Sequence, residues 1–173
     1  AGSDLYRIPL AEELLFFDME ILSPLYRLAR MEYRSGGWTA EAEDALRGIA
    51  AAAGGMGYEL IQYHHLGTGV DYLILVEDET VEAPRYWGTY VFRLGLAQGF
   101  VVQVPRPLAE LNSFEYAVAL FETMQGRALL IGGAYPTANL DGSADLVRET
   151  NKVSLFSLVH QVLLRESGSE PLL

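Results

Sequence analysis

The chain contains no cysteine, only 12 Lys and Arg against 23 Asp and Glu, and 3 histidines. It also has no apolar run near the roughly 20 residues that a membrane-spanning helix needs. Each shortage excludes something. Without cysteine there are no disulfides, thiolate metal ligands or Cys nucleophile, and the redox compartment stays open between cytoplasm and periplasm. The excess of acid gives a formal net charge of −11 and a pI near 4.6. That field repels phosphate, so nucleic acid and anionic membrane surfaces are set aside as partners, as is direct membrane insertion by this segment. No basic stretch followed by an apolar h-region marks a signal peptide. The opening "AGS", which lacks Met, reads as a cloning remnant, and "SGSEPLL" reads as a flexible tail. The expectation is a domain of a longer protein whose targeting signal lies elsewhere.

Half of the 173 residues are apolar, ample for one sizeable core. From Ile8 to Tyr33, Leu10, Leu14, Leu15, Phe17, Ile21, Leu25, Leu28 and Met31 recur at helical spacing. Ser23-Pro24 divides that pattern into either two short helices or one kinked helix. Thr39 is placed to cap a further helix that runs to a glycine stop at "GGMG". After Gly57 the period changes to 2, and "YELIQYHH", "VDYLILVED", "YWGTYVFRLG" and "FVVQVP" read as a four-stranded meander with a hairpin at "LGTG". The last of these runs, Phe100 to Val104, is apolar enough to be buried on both faces. An amphipathic helix in "ELNSFEYAVALFETMQG", a buried strand in "RALLIGG" and a final helix over Lys152 to Arg165 complete the chain. Strand, helix, strand implies a right-handed crossover with 100–104 and 127–131 parallel neighbours or nearly so.

The fold class is therefore α/β or α+β: a mixed sheet of about five strands, antiparallel meander plus a parallel βαβ addition, with an N-terminal helical layer. Residues 1–37 are expected to pack as a helical segment on a core domain of residues 38–166, followed by a flexible tail over 167–173.

The unusual segment is "GGAYPTANLDGSAD", Gly132 to Asp145, a long polar loop leaving a buried strand. Ligands of parallel α/β units bind beyond the carboxyl ends of the strands. There this loop would meet "PRPLAELNS". The two collect the ligand-binding candidates Arg106, Glu110, Asn112, Ser113, Glu115, Tyr135, Asn139, Asp141, Ser143 and Asp145. Asn112 or Ser113 would cap the following helix and aim its N–H groups at the crevice. Arg106, stiffened by flanking prolines, would clamp a carboxylate or phosphate of an anionic small ligand; alternatively it pairs with Glu110 or Asp145 and ties the two loops together.

Other chemistries fit the residues poorly. His64 and His65 are adjacent and face opposite sides of a strand, and His160 lies on a helix, so a zinc triad is not encoded locally. The oxygens of "NLDGSAD" alternate as in calcium loops, but glycine is fourth from Asn139 and Thr150 is twelfth, unlike an EF-hand. An Asx-rich turn that satisfies its own backbone is the plainer reading. Ser113, Ser143 and Ser154 lack a nucleophile elbow, and carboxylate pairs such as Glu110 with Asp141 or Asp145 are unremarkable among so many acids. No phosphate-loop lysine or dinucleotide spacing occurs. Tyr58, Tyr63, Tyr72, Tyr86, Trp87, Tyr90 and Phe92 decorate the meander, mostly as packing. Exposed rings among them would suit carbohydrate or protein recognition.

The succession "VVQVPRP", a helix, "ALLIGGAYP" and "SADLVRETNKVSLF", over roughly residues 98–160, resembles the zinc-dependent amidases of the phosphorylase/hydrolase-like fold, including N-acetylmuramoyl-L-alanine amidases and poly-γ-glutamate hydrolases. The resemblance implies a metal-binding His and Glu in the first loop and a second His after the later strand. Arg106, Glu110 or Glu115, and Tyr135 stand at those positions, and the imidazoles are missing. It therefore implies a bacterial protein, envelope-associated and periplasmic rather than cytoplasmic, retained without metal or cofactor for binding or scaffolding. Its partner would be another protein or another domain of the same chain. The alternatives are a metal-dependent hydrolase of amide or peptidoglycan-like substrates, using Glu110, Glu115, Asp141, Asp145 and His160, and a protein-interaction or dimerisation module whose apolar helices form the interface.

Overall fold

The computed structural model describes residues 6–31, 33, 37–78, 80, 83–168 and 172–173. Its elements are α1 (Ala11–Phe16), a π-helical turn (Phe17–Leu22), α2 (Ser23–Met31), α3 (Ala40–Gly55), β1 (Tyr58–His65), β2 (Val70–Glu77), β3 (Thr89–Arg93), β4 (Gln98–Val104), α4 (Ser113–Thr123), β5 (Gly126–Ile131) and α5 (Leu155–Ser167).

Pro24 explains the π turn. An α-helical register would drive its ring against the carbonyl four residues back, at Glu20. The chain widens instead, with the Ser23 N–H bonded to the Asp18 carbonyl, and continues as one helical run. Ser23 is therefore inside the helix rather than a cap, and its hydroxyl donates to Asp18 Oδ1 at 2.6 Å. Thr39 does cap α3, accepting from the Ala42 N–H. The final helix starts three residues later than the sequence suggests, because Ser154 takes the cap from Ser157. Val153 is thereby left outside and exposed, while Phe156, Val159, Val162 and Leu163 face inward.

The sheet is mixed, in the order β1-β2-β3-β5-β4, with β4 and β5 parallel and every other pair antiparallel. The parallel addition is as the sequence implies. The four-stranded meander is not: β5 inserts between β3 and β4, leaving β4 at the edge. The reason is the apolar content of β5, whose Ala128, Leu129 and Leu130 are buried, whereas in β4 only Val104 is. The expectation that β4 is covered on both faces is corrected accordingly. Nor is the chain end wholly a loose tail: Ser167 belongs to α5, and Leu173 exchanges two backbone hydrogen bonds with Gly99 and Val101 on the free edge of β4.

One sheet face carries α1 to α3 and α5 over the main core. Phe17, Ile21, Leu25 and Tyr26 pack there with Tyr58, Leu73, Leu75, Trp87 and Tyr90, so the N-terminal helices and the sheet share a single interior. The meander aromatics serve mainly here; Phe17 meets Tyr58 and Trp87 edge-on at 5.2 and 5.9 Å. The other face is covered by α4 through Ala117 and Phe121 over Tyr72, Val104 and Leu129.

The π-helical turn and α2 are both tied to α5 by charge. Arg165 reaches Asp18 at 2.5 and 2.8 Å, and Arg27 grips Glu166 at 2.6 and 3.0 Å. Hydrogen bonds from Arg165 hold the Asp18 carboxyl below the usual carboxylate range, against the upward push of burial, and Arg27 does the same for Glu166. A carboxylate with a depressed folded pKa stabilises above its unfolded pKa and loses that contribution as pH falls through the folded value. Asp18→Asn should therefore melt below the unmodified protein at neutral pH, and the gap should close between about pH 5 and pH 2. Melting curves across that range check this; a gap independent of pH would assign the loss to packing.

Candidate functional site

The crevice beyond the carboxyl ends of β4 and β5 is built on glycines. A Cβ on Gly132 would lie 2.5 Å from the Pro105 carbonyl oxygen, and one on Gly133 would lie 2.7 Å from Tyr86 backbone atoms. A Cβ on Gly88, where φ is +110°, would lie 2.2 Å from the Ile131 oxygen. Glycine therefore lets the strand ends and the β2–β3 connection converge to backbone contact. Glu77 fixes that connection from below, its carboxylate accepting from the backbone N–H groups of Arg85, Tyr86 and Trp87.

Above the glycines, Arg106 and Asp145 meet. Arg106 Nε and Nη2 donate to Asp145 at 2.7 to 2.9 Å, a fork that joins the β4–α4 and β5–α5 loops. The loop's other polar groups are hydrogen-bonded within the loop or to Tyr6. Asn139 Nδ2 donates to the Tyr6 carbonyl and Ser143 Oγ, and Asp141 accepts from the Ser143 N–H. Asn151 Nδ2 donates to the Gly142 and Asp145 carbonyls, and Arg148 to the Asp141 carbonyl. Meanwhile Ala134 and Ala144 join the main core. The long segment is a wall of the interior whose side chains satisfy its own backbone.

The remaining expected site residues do not converge on the crevice in the same way. Glu110, Asn112 and Glu115 are exposed on the loop and first turn of α4, and Tyr135 is exposed beyond β5. The predicted cap is corrected: Asn112 adopts the left-handed conformation at φ 61° without a side-chain cap bond, and the Ser113 hydroxyl is buried with no partner among the described residues. The residues standing where an amidase-like site would hold zinc do not fit a metal, since Arg106 brings a cation, paired with Asp145, while Glu110, Glu115 and Tyr135 are exposed and not gathered around a common point. Among the described residues no three His, Cys, Asp or Glu side chains are grouped to hold a metal ion. His160 instead contacts Gln103 across the surface at 2.8 Å.

A second concavity lies at the other end of the sheet, between β1, β2 and the residues Tyr33, Gly37 and Trp38. It is an open groove of about 1060 Å³. His64 and Asp71 are directly opposed in the β1–β2 ladder, and His64 Nδ1 lies 2.7 Å from Asp71 Oδ1. The other Asp71 oxygen accepts from the Tyr33 hydroxyl. Burial raises the Asp71 carboxyl, and the hydrogen bonds from Tyr33 and His64 outweigh it, leaving the pKa below the usual range. Burial, reinforced by that carboxylate, pushes Tyr33 up to about 12. Trp38 meets Tyr33 edge-on at 4.9 Å and donates its Nε1–H to Gln62 Oε1 at 3.0 Å.

No family model, curated protein or solved structure matches this chain. The site must be read from its own geometry.

The groove was missed because each component looked ordinary alone. A signal for half of it was present: with Leu66–Gly69 as a four-residue hairpin loop, His65 pairs with Val70 and His64 with Asp71. His64 and His65 do face opposite sides, His65 turning to Thr68 Oγ1 at 2.7 Å. The approach of Tyr33 and Trp38 is tertiary and has no local mark.

Proposed function

We propose that this chain is a non-catalytic binding or scaffolding domain of a larger bacterial protein associated with the cell envelope, similar to metal-dependent amidases but with the site position converted to structure. The carrying observation is the fork between Arg106 and Asp145. A catalytic crevice needs open, convergent groups aimed at a reacting atom. Here the charged pair that would bind an anion binds itself, and the loop amides and carboxylates are occupied by loop backbone.

The reading predicts that Arg106→Ala leaves a folded domain with stability lowered by about 1–2 kcal/mol, a fall of a few degrees in Tm. It also predicts no amide hydrolysis by the unmodified protein supplied with zinc, assayed on γ-glutamyl and muramoyl-peptide substrates. Zinc-dependent cleavage would favour the hydrolase alternative; an unchanged melting temperature in Arg106→Ala would remove the structural role of the fork.

A second reading has its own observation. Leu10, Leu15, Phe16 and Met19 are exposed along the first helical run, more apolar surface than a helix packed on one side requires. That supports a protein-interaction or dimerisation module, for which sedimentation would give a mass rising with concentration.

A further inference from the structure

We propose that the groove lined by Tyr33, Trp38 and the adjoining ends of β1 and β2 is the ligand site of this domain, and that its ligand is a neutral oligosaccharide. The inference rests on the binding reading above and gives it a place and a chemical class. Three features of the groove carry it.

First, Trp38 and Tyr33 form a rigid aromatic wall. Their edge-to-face contact and the bond from Trp38 Nε1 to Gln62 fix the indole plane before any ligand arrives. The indole face, edged with polar groups, matches the C–H face of a pyranose, whose hydroxyls lie around its rim.

Second, the polar groups that remain available are uncharged or adaptable. Both Asp71 oxygens are engaged by His64 and Tyr33. Among the described residues, Gln62 accepts through its oxygen with no acceptor on its amide N–H groups, and His64 Nε2 has no hydrogen-bond partner. Arg30 also lines the groove, but its guanidinium is held by the Glu166 carbonyl and the Tyr26 ring. Such a set recognises hydroxyls, which both donate and accept, better than a formal charge. Third, the −11 net charge opposes phosphorylated or nucleotide ligands, while the groove volume suits more than one sugar ring.

The protein carries its own reporter. Of its two tryptophans, Trp87 is 1% exposed, so a ligand-dependent change in intrinsic fluorescence reports on Trp38. The probes are neutral trisaccharides of glucose and of N-acetylglucosamine, with glucose 6-phosphate and a proline-rich peptide for comparison. The expected result is a saturable fluorescence change of the unmodified protein with a neutral trisaccharide; by titration calorimetry, which needs no tryptophan reporter, binding is lost in Trp38→Ala, retained in Trp38→Phe, and weakened about tenfold in Gln62→Leu through loss of a hydrogen bond. Circular dichroism on each variant separates lost binding from lost folding, and Gln62→Leu, an exposed strand position, covers the case in which Trp38→Ala fails to fold. Tighter binding of the phosphate sugar, or a response to the peptide alone, would overturn the saccharide class while leaving the binding reading intact. No response to any probe, or saccharide binding unaltered by both Trp38→Ala and Gln62→Leu, would overturn the site. The zinc assay for amide cleavage is independent of all these arms, so failure of the functional reading is seen separately.

Discussion

Glu122→Gln should lower the stability of this domain by about 3 kcal/mol, which for a chain of this size is a fall in Tm of about 6–12 °C. The cause is the partner left behind. Arg93 is 4% exposed on β3, with Glu122 Oε2 3.0 Å from its Nη2 and its guanidinium between the rings of Tyr72 and Phe121. Its Nε has no acceptor among the described residues, and Glu122 provides the principal compensation for a buried cation. Glutamine keeps the shape and the hydrogen-bond acceptor but removes the charge, leaving the guanidinium uncompensated in a low-dielectric interior. The converse change should be milder. Glu122 is partly solvated, and in Arg93→Met it can turn to water while the thioether fills the space between the rings. Thermal melts of the two variants test this asymmetry: equal losses would mean that the pair acts only through its mutual contact.

Gly88→Ala should be at least as damaging, about 3–5 kcal/mol, from adding a strained positive φ to an overpacked contact. The added methyl would sit 2.2 Å from the Ile131 oxygen, a backbone atom of β5 that is held in the sheet. Gly142→Ala is the informative comparison. It also has a positive φ, +74°, but its Cβ would meet the end of the Arg148 side chain, which can swing into solvent. Only the conformational cost of about 1–2 kcal/mol then remains. Urea unfolding of both variants gives the comparison, and a Gly142→Ala loss as large as that of Gly88→Ala would show that φ alone, and not the close approach of the strand ends, governs the crevice.

These two sites explain how much of the fold was legible. The helix over the α4 residues, the buried β5 and the parallel crossover follow from local period and from chain chirality, which act over a few residues or a single connection. The insertion of β5 between β3 and β4 does not. It depends on comparing the burial value of two apolar strands for one interior position, a competition that neither strand's own pattern displays. The cap expected from Asn112 or Ser113 failed for a similar reason: Asn112 tolerates the left-handed region and turns the chain, so neither side chain reaches the helix N-terminus.

The candidate sites divide in the same way. The residues of the long loop were visible as a group, and both uses of Arg106, as a clamp for an anion and as a tie to Asp145, followed from its charge. Which of them holds depended on where two loops separated by 39 residues are placed. In the groove, the His64–Asp71 pair follows from hairpin register, but the contacts of Tyr33 with Asp71 and of Trp38 with Gln62 are tertiary. By itself the sequence determined the mixed sheet, the N-terminal helices, the acidic surface and the absence of thiol chemistry, since these follow from composition, periodicity and short connections. Tertiary structure alone decided the strand order, the closure of the crevice and the existence of the groove, because each requires side chains distant along the chain to be within a hydrogen bond of one another.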